Sequence, residues 1–494
     1  MASPFQILTD RFLQIGDVQR QSFLHFGTSI TVTVLGFLST MAITHLTGSP
    51  DVPGGYFLFL AYLGIFSLIS SGGLGGATVN LMGSGDRRVE IFSTYLMLRI
   101  ILLLCSIILL VFLGPALVDL TTAGLLPWLI AGVVATACAD IAGTWLYATG
   151  KAGYIQISSL INNLVRIITQ VLTIVTGFGV AGLAGSVIAG LVIGSLYLIP
   201  LCHFRPGRFS QKSAEELIRF SFWTLLASGG MIIYGNIDTI LLGYFGSTND
   251  VGLYRIALQL ASFALFSALA LNTILYPKFS SWQHDERREW IAGSLARAVS
   301  YSLLLALPVC IGGMILGNRL LYFLYGSPYQ VAGFVLALLL ITQVAYVFVF
   351  LWTMTLNALG MPKSSAVPAL IATAVNIPLN LILIPIFGIN GAGAAVLITV
   401  LIHVVCVGWI LSKYIGLIPD LRALRSICIA TLCMAVIVGL FVLIFPLTHV
   451  LLLAGCVLFG AVSYLLTLAW LERGIDTALG RMMKEMGLVL PEWL

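Results

Sequence analysis

Charge is what this sequence has least of. Among its 494 residues, 24 are Lys or Arg and 19 are Asp or Glu, 9% in all. An ordinary soluble domain carries about 25%, so a soluble fold of this length could not cover its surface. Metal-binding spacings are missing as well. The eight cysteines fall almost entirely inside apolar runs, with no C-x-x-C or C…H spacing. They read as small buried hydrophobes rather than a disulfide framework or a zinc site. The six histidines form no cluster, and no metal, cofactor or nucleic acid is expected. The N-terminus lacks the apolar core of a cleavable signal peptide, since Asp10, Arg11, Asp17 and Arg20 interrupt it. Heptads, G-X-Y repeats and the alternation of membrane β-barrel strands are absent too.

What is abundant is apolar surface. Hydrophobic residues make up 59% of the chain and the mean hydropathy is +1.06. A membrane-crossing helix needs about 20 consecutive, mostly apolar residues. The expectation is an all-α polytopic membrane protein. Fourteen apolar segments meet the criterion, at about 23–46, 56–82, 91–117, 125–148, 154–176, 180–201, 220–245, 251–277, 291–317, 331–359, 365–387, 389–411, 426–445 and 450–471. The links at Gly177–Gly179 and Gly388–Asn390 are short enough to be tight turns between antiparallel helices. The longest link, about 202–219, follows the sixth segment.

Lys and Arg test this count, because cytoplasmic loops collect them. Alternate links together with both termini hold 19, from Arg11 to Lys484, and the opposite links hold one, Arg319. A missed or surplus span would scramble that alternation. The bias places both termini in the cytoplasm and requires an even number of spans. Fourteen fits better than twelve, which would leave Lys413 to Arg425 as a tail.

The chain also repeats itself. Tyr147-Ala-Thr-Gly150 ends span four and Asn357-Ala-Leu-Gly360 ends span ten. Arg166 and Gln170 follow Gly150 at the same offsets as Asn376 and Asn380 follow Gly360. Gly179-Val-Ala-Gly182-Leu-Ala-Gly185 opens span six, as Gly388-Ile-Asn-Gly391-Ala-Gly393 opens span twelve. The displacement is 209 to 210 residues throughout. An even number of intervening spans keeps the orientation, so the copies are parallel repeats about an axis along the membrane normal. The expected architecture is an N-lobe of six spans (1–201), a cytoplasmic inter-lobe linker (202–219), a C-lobe of six spans (220–411), and a final helix pair with a cytoplasmic tail (412–494).

Charge inside a membrane is costly and tends to face a cavity or a partner. Six such residues stand in the spans: Arg99, Asp140, Arg166, Asp238, Arg255 and Arg297. Arg166 is about 18 Å from the cytoplasmic edge, and Arg99 and Asp140 about 12 Å in, at 1.5 Å per residue. Arg99 and Arg166 fit a cationic cavity for a phosphate or pyrophosphate, which Arg grips in bidentate fashion. The competing reading is structural: an ion pair such as Arg166 with Asp140, or snorkelling of Arg99 to the headgroups. Arg297 starts span nine near the cytoplasm and reads as snorkelling. Asp238 is either a proton or sodium coupling site or one half of a salt bridge to Arg255 at an outer gate. Asn162, Asn163, Gln170, Asn376 and Asn380 line the cavity or bond neighbouring helices. Pro308, Pro378 and Pro385 either kink their helices for alternating access or shape them for packing.

Two stretches carry a family resemblance. Asn236-Ile-Asp238-Thr-Ile-Leu-Leu-Gly243-Tyr-Phe-Gly246, followed by Val251-Gly252-Leu-Tyr254, is the first. Asn376-Ile-Pro-Leu-Asn380, running through Pro385 to Gly393-Ala, is the second. Both resemble polysaccharide flippases, the polysaccharide transporter branch of the multidrug/oligosaccharidyl-lipid/polysaccharide exporter superfamily. The resemblance runs from span one to span twelve and rests on the order of the motifs with the two lobes. It implies a V-shaped two-lobe fold in the cell membrane. It implies a polyprenyl-(pyro)phosphate-linked oligosaccharide moved from the cytoplasmic to the outer leaflet, alongside glycosyltransferases and a glycan polymerase. The opening two spans hold few basic residues, unlike the lipid II flippase branch. Two other readings compete. A cation-coupled multidrug antiporter of the same superfamily needs acidic residues, whereas the first lobe sets Arg99 and Arg166 beside Asp140. A membrane glycosyltransferase or glycan polymerase needs a substantial outer loop with catalytic groups. The longest, about 318–330, holds Arg319 and no carboxylate.

Overall fold

The computed structural model describes residues 17–83, 87–117, 124–204, 207–285, 287–417, 419–445 and 448–471. The expected cytoplasmic tail beyond Leu471 lies outside these. Among the described residues the regular structure is helical, with no strand. Eleven helical stretches are long and apolar enough to cross a membrane. A bilayer core offers the backbone no hydrogen-bond partners, which is why such runs close their bonds internally as helices. This is an all-α, multi-pass membrane protein.

The chain divides into two compact units, Met1–Ile232 and Ile233–Leu494. The first holds α1 (Asp17–Thr47), α2 (Asp51–Ser71), α3 (Leu74–Gly83), α4 (Arg88–Leu113), α5 (Leu126–Ala148), α6 (Ala152–Val175), α7 (Gly179–Leu198) and nearly all of α8 (Gln211–Tyr234). Within it α6 lies along α7, α7 also packs on α5, and α1 packs on α6. The second unit holds α9 (Ile237–Phe245), α10 (Thr248–Ala261), α11 (Phe266–His284), α12 (Arg288–Tyr325), α13 (Gly333–Ala358), α14 (Pro362–Ser412), α15 (Leu421–Ile444) and α16 (Val450–Leu471). The last pair, α15 and α16, packs on α12 through Leu316, Ile427, Ala430, Met434 and Leu453.

Glycine rather than proline stands at the breaks described next; span eight is interrupted by a short 3-10 turn at Ser262–Leu265, which holds neither. Span two breaks between α2 and α3 at Gly72 and Gly73, with φ of 53° and 73°. Gly73 also has no room for a side chain: a Cβ there would lie 2.7 Å from the Ser221 carbonyl oxygen and 2.8 Å from the Leu225 nitrogen. Span seven breaks between α8 and α9 at Gly235 and Asn236. The run Pro362–Ser412 leaves helical geometry only at Gly388 (φ 56°, ψ −133°), the turn expected between spans eleven and twelve. Pro308, Pro378 and Pro385 stay inside helical backbone. A proline removes one backbone bond, and neighbouring groups in a membrane helix can make that good.

The segment expected as a linker is docked and half helical. The Gly207 N–H donates to Ser93 Oγ (2.7 Å) and the Ser210 N–H to Thr94 Oγ1 (3.2 Å). Ser213 Oγ donates to Glu90 Oε1 (2.7 Å), and Arg87 pairs with Glu216 at 3.2 Å. Residues 211–219 are already part of α8. The two compact units meet in sequence at Ile232–Ile233, inside span seven. The polar composition of 202–219 resembles a loose linker because side chains such as Ser213 and Glu216 serve this docking.

Candidate functional site in the first unit

The site begins with a stripe on α6. At 100° per residue, Ser158, Ser159, Asn162, Asn163, Arg166, Thr169, Gln170 and Thr173 fall on one side of the helix, and apart from Gln156 near its start the rest is mostly apolar. Lipid would reject such a stripe, so it faces protein or water. Part of it packs on α7. A Cβ at Gly190 would lie 2.5 Å from Asn162 Oδ1 and 3.3 Å from Arg166 Cβ. Ser158 Oγ donates to the Gly194 carbonyl at 2.9 Å. Asn162 is thus held against the α7 backbone. Thr169 and Thr173 donate to the carbonyls of Val165 and Thr169 one turn back.

Arg166 stands part-way along α6, about 14 Å from the end at Val175. Its Nη2 donates to Asn163 Oδ1 at 2.8 Å, and Asn163 Nδ2 donates to the Ser159 carbonyl at 2.8 Å. Arg166 Nε is buried without an acceptor. Among the described residues no carboxylate pairs with Arg166. One turn on, Gln170 is buried between two further helices. Its Oε1 accepts from Ser39 Oγ of α1 (2.7 Å), and its Nε2 donates to the Tyr56 hydroxyl of α2 (2.9 Å). Ser39 and Tyr56 were not singled out in the sequence. A serine in an apolar run and a tyrosine near a span end, where aromatics collect anyway, carry no signal by themselves.

Arg99 has a different environment. Its side chain on α4 is 1% exposed, and Nη2 donates to Asp140 Oδ2 of α5 at 2.8 Å. Asp140 therefore partners Arg99, not Arg166. Arg99 is thus enclosed and ion-paired. Its Nε and Nη1 are buried without acceptors.

The remaining candidates belong to the second unit. Asp238, at the start of α9, accepts from the Thr239 N–H (2.8 Å) and from the Tyr254 hydroxyl of α10. Arg255 points to Thr239 Oγ1 (3.4 Å) and the Gly235 carbonyl (3.5 Å). The expected pair of Asp238 with Arg255 is thus relayed through Thr239, while Tyr254, sixteen residues on in the chain, takes the carboxylate directly. Asn376 and Asn380 are buried on α14. Asn376 Nδ2 reaches Thr399 Oγ1 (3.3 Å) and Asn380 Nδ2 reaches Asn376 Oδ1 (3.0 Å). Asn376 thus bonds across to the stretch beyond Gly388, while Asn380 bonds one turn back along its own stretch and keeps a buried Oδ1 without a partner. Their setting repeats that of the first unit: Thr399 stands to Asn376 as Gly190 stands to Arg166. Arg297 is exposed, with Nη2 on Ser294 Oγ at 3.1 Å, as a snorkelling residue would be. Among the described residues no group of His, Cys, Asp and Glu is arranged to hold a metal ion.

A family model described as polysaccharide biosynthesis protein matches residues 54–333, more than half of the chain. The chain belongs to this family. Two relatives in Haloferax volcanii cover most of its length. The probable low-salt glycan biosynthesis flippase Agl15 is 24% identical over 81% of this chain and 85% of its own. The probable flippase AglR is 26% identical over 90% and 94%. Among solved structures, the lipid II flippase MurJ in an inward closed conformation matches with a TM-score of 0.78 at 16% identity, covering 92% of this chain and 99% of that one. An inward-facing multidrug resistance MATE transporter matches with 0.62 at 16% identity, over 77% and 96%. The family member described here thus shares the MurJ and MATE fold.

Proposed function

We propose that this protein is a flippase for a lipid-linked oligosaccharide. It carries a polyprenyl-(pyro)phosphate-linked repeat unit from the cytoplasmic to the outer leaflet by alternating access. The observation that carries the reading is Arg166. A guanidinium deep in a membrane helix, with Asn163 as its polar partner and Nε buried without an acceptor, is matched to an anion that arrives and leaves. Phosphate oxygens fit it in geometry and charge. The names of the Haloferax volcanii relatives agree with this cargo, and none of those comparisons points to an enzyme. Arg99 is assigned to structure, since Asp140 already neutralises it.

The same proposal includes fourteen spans in two six-helix lobes, 1–201 and 220–411, joined by 202–219 and followed by a final pair in 412–494. The Lys and Arg bias supports cytoplasmic termini in the cell membrane. Asp238, held by Tyr254 and Thr239, is the candidate for proton or sodium coupling. Glycosyltransferases and a glycan polymerase are the expected neighbours in the pathway. The multidrug antiporter reading is weaker, because the polar stripe of the first unit presents a cation where a cationic drug would need a carboxylate.

Purified protein in proteoliposomes tests this directly. A lipid-linked oligosaccharide should move between leaflets, and a cationic dye should not be expelled under a proton or sodium gradient. Dye export without oligosaccharide movement would establish the antiporter.

A further inference from the structure

The Tyr56 hydroxyl is placed but not used up. It accepts from Gln170 Nε2, and Gln170 is itself fixed by Ser39 Oγ on its other amide atom. The phenol's own proton goes to no acceptor among the described residues. A hydroxyl can accept and donate at once, so this one has a donor left over. Gln170 and Arg166 lie one turn apart on the same side of α6, so the hydroxyl held by Gln170 is carried toward the guanidinium. Arg166 contributes a buried Nε without an acceptor. The neighbouring hydroxyls of Thr169 and Thr173 donate to their own backbone. α2 and α6 thus each hold a donor without an acceptor among the described residues, one helical turn apart along α6.

Such a pair is unfavourable in a low-dielectric setting unless a guest supplies the acceptors. We propose that Tyr56 is a second ligand for the substrate's phosphate group beside Arg166, with Gln170 and Ser39 as the residues that orient it. This rests on the flippase reading and adds a named contact to it. Three helices, α1, α2 and α6, are coupled to the occupant of one site, because Ser39, Gln170 and Tyr56 form a single chain of hydrogen bonds.

The test uses the full chain in detergent with farnesyl pyrophosphate as probe and farnesol as its uncharged control. The wild type is expected to bind the pyrophosphate and not farnesol. Tyr56→Phe keeps the ring and loses the hydroxyl. It should weaken pyrophosphate binding about tenfold or more, the loss expected for a hydrogen bond to a charged group; the Gln170 amide, left without its acceptor, lowers the midpoint of thermal unfolding, so binding is measured well below that midpoint. A second measurement avoids dependence on that variant's folding. With 3-fluorotyrosine incorporated at position 56, the 19F resonance should shift on adding the pyrophosphate and stay put with farnesol. Binding by Tyr56→Phe within twofold of wild type, or an unmoved resonance, overturns the proposal. If Arg166→Ala then still abolishes binding, the flippase reading stands without Tyr56. A wild type that binds no pyrophosphate overturns both.

Discussion

Arg99 and Arg166 are indistinguishable by residue type and both lie well inside their helices, yet one is ion-paired and the other is not. The difference is helical phase. Asp140 on α5 faces α4, which carries Arg99, and a depth read from sequence says nothing about which neighbour a side chain faces. Asp140 keeps 47% of its side-chain surface while Arg99 keeps 1%, so the two substitutions differ in consequence. Asp140→Ala strands a buried cation and is expected to cost about 3–5 kcal/mol. Arg99→Met leaves a half-exposed carboxylate and costs less. The double variant Asp140→Ala/Arg99→Met should recover most of the stability. Thermal unfolding of the three purified proteins checks this; equal losses from both single variants would contradict the burial argument. Arg166 and Gln170 were legible because their offsets from Gly150 repeat in Asn376 and Asn380. Their partners Ser39 and Tyr56 were not, because contacts between distant spans leave no mark on spacing.

At the scale of elements, hydropathy located the helices well, since a bilayer forces any long apolar run into one. It did not locate the breaks. A break such as that at Gly72–Gly73 needs only two glycines inside an apolar run, which hydropathy does not register. Proline drew the attention instead, though Pro308, Pro378 and Pro385 leave their helices continuous. The two kinds of glycine give a prediction. Gly73 and Gly150 both have positive φ. A Cβ at Gly73 would meet the backbone of Ser221 and Leu225, whereas at Gly150 nothing lies within 4 Å. Gly150→Ala should cost about 1–2 kcal/mol from the left-handed backbone alone. Gly73→Ala should add an overpacking cost of about 1–3 kcal/mol, because the backbone of α8 cannot step aside as a side chain would. Folded yield after size-exclusion chromatography ranks the two; equal yields would mean that α8 is not seated on the break.

For the whole molecule, the class was legible because hydropathy and charge are one-dimensional signals; the repeat is a signal of the same kind, in spacing along the chain, and stays part of the proposal. The docking of 207–217 on the start of α4 was not legible, because contacts between segments distant in the chain leave no mark on spacing. Topology remains the widest consequence of the charge bias. In a background without cysteine, single cysteines at Asp51 and Thr248 should react with an impermeant maleimide from outside, and one at Gln211 should not. Reversed labelling would invert the proposed direction of transport. The central claim is narrower: that Arg166 holds the phosphate of a lipid-linked oligosaccharide. The measurement that tests it most directly is flipping in proteoliposomes by wild type, Arg166→Lys and Arg166→Ala, each normalised to folded protein. Arg166→Lys keeps the charge but loses the planar pair of donors, so it should retain part of the rate. Arg166→Ala should lose tenfold or more, about 1.4 kcal/mol per factor of ten. Flipping by Arg166→Ala at the wild-type rate would contradict the account.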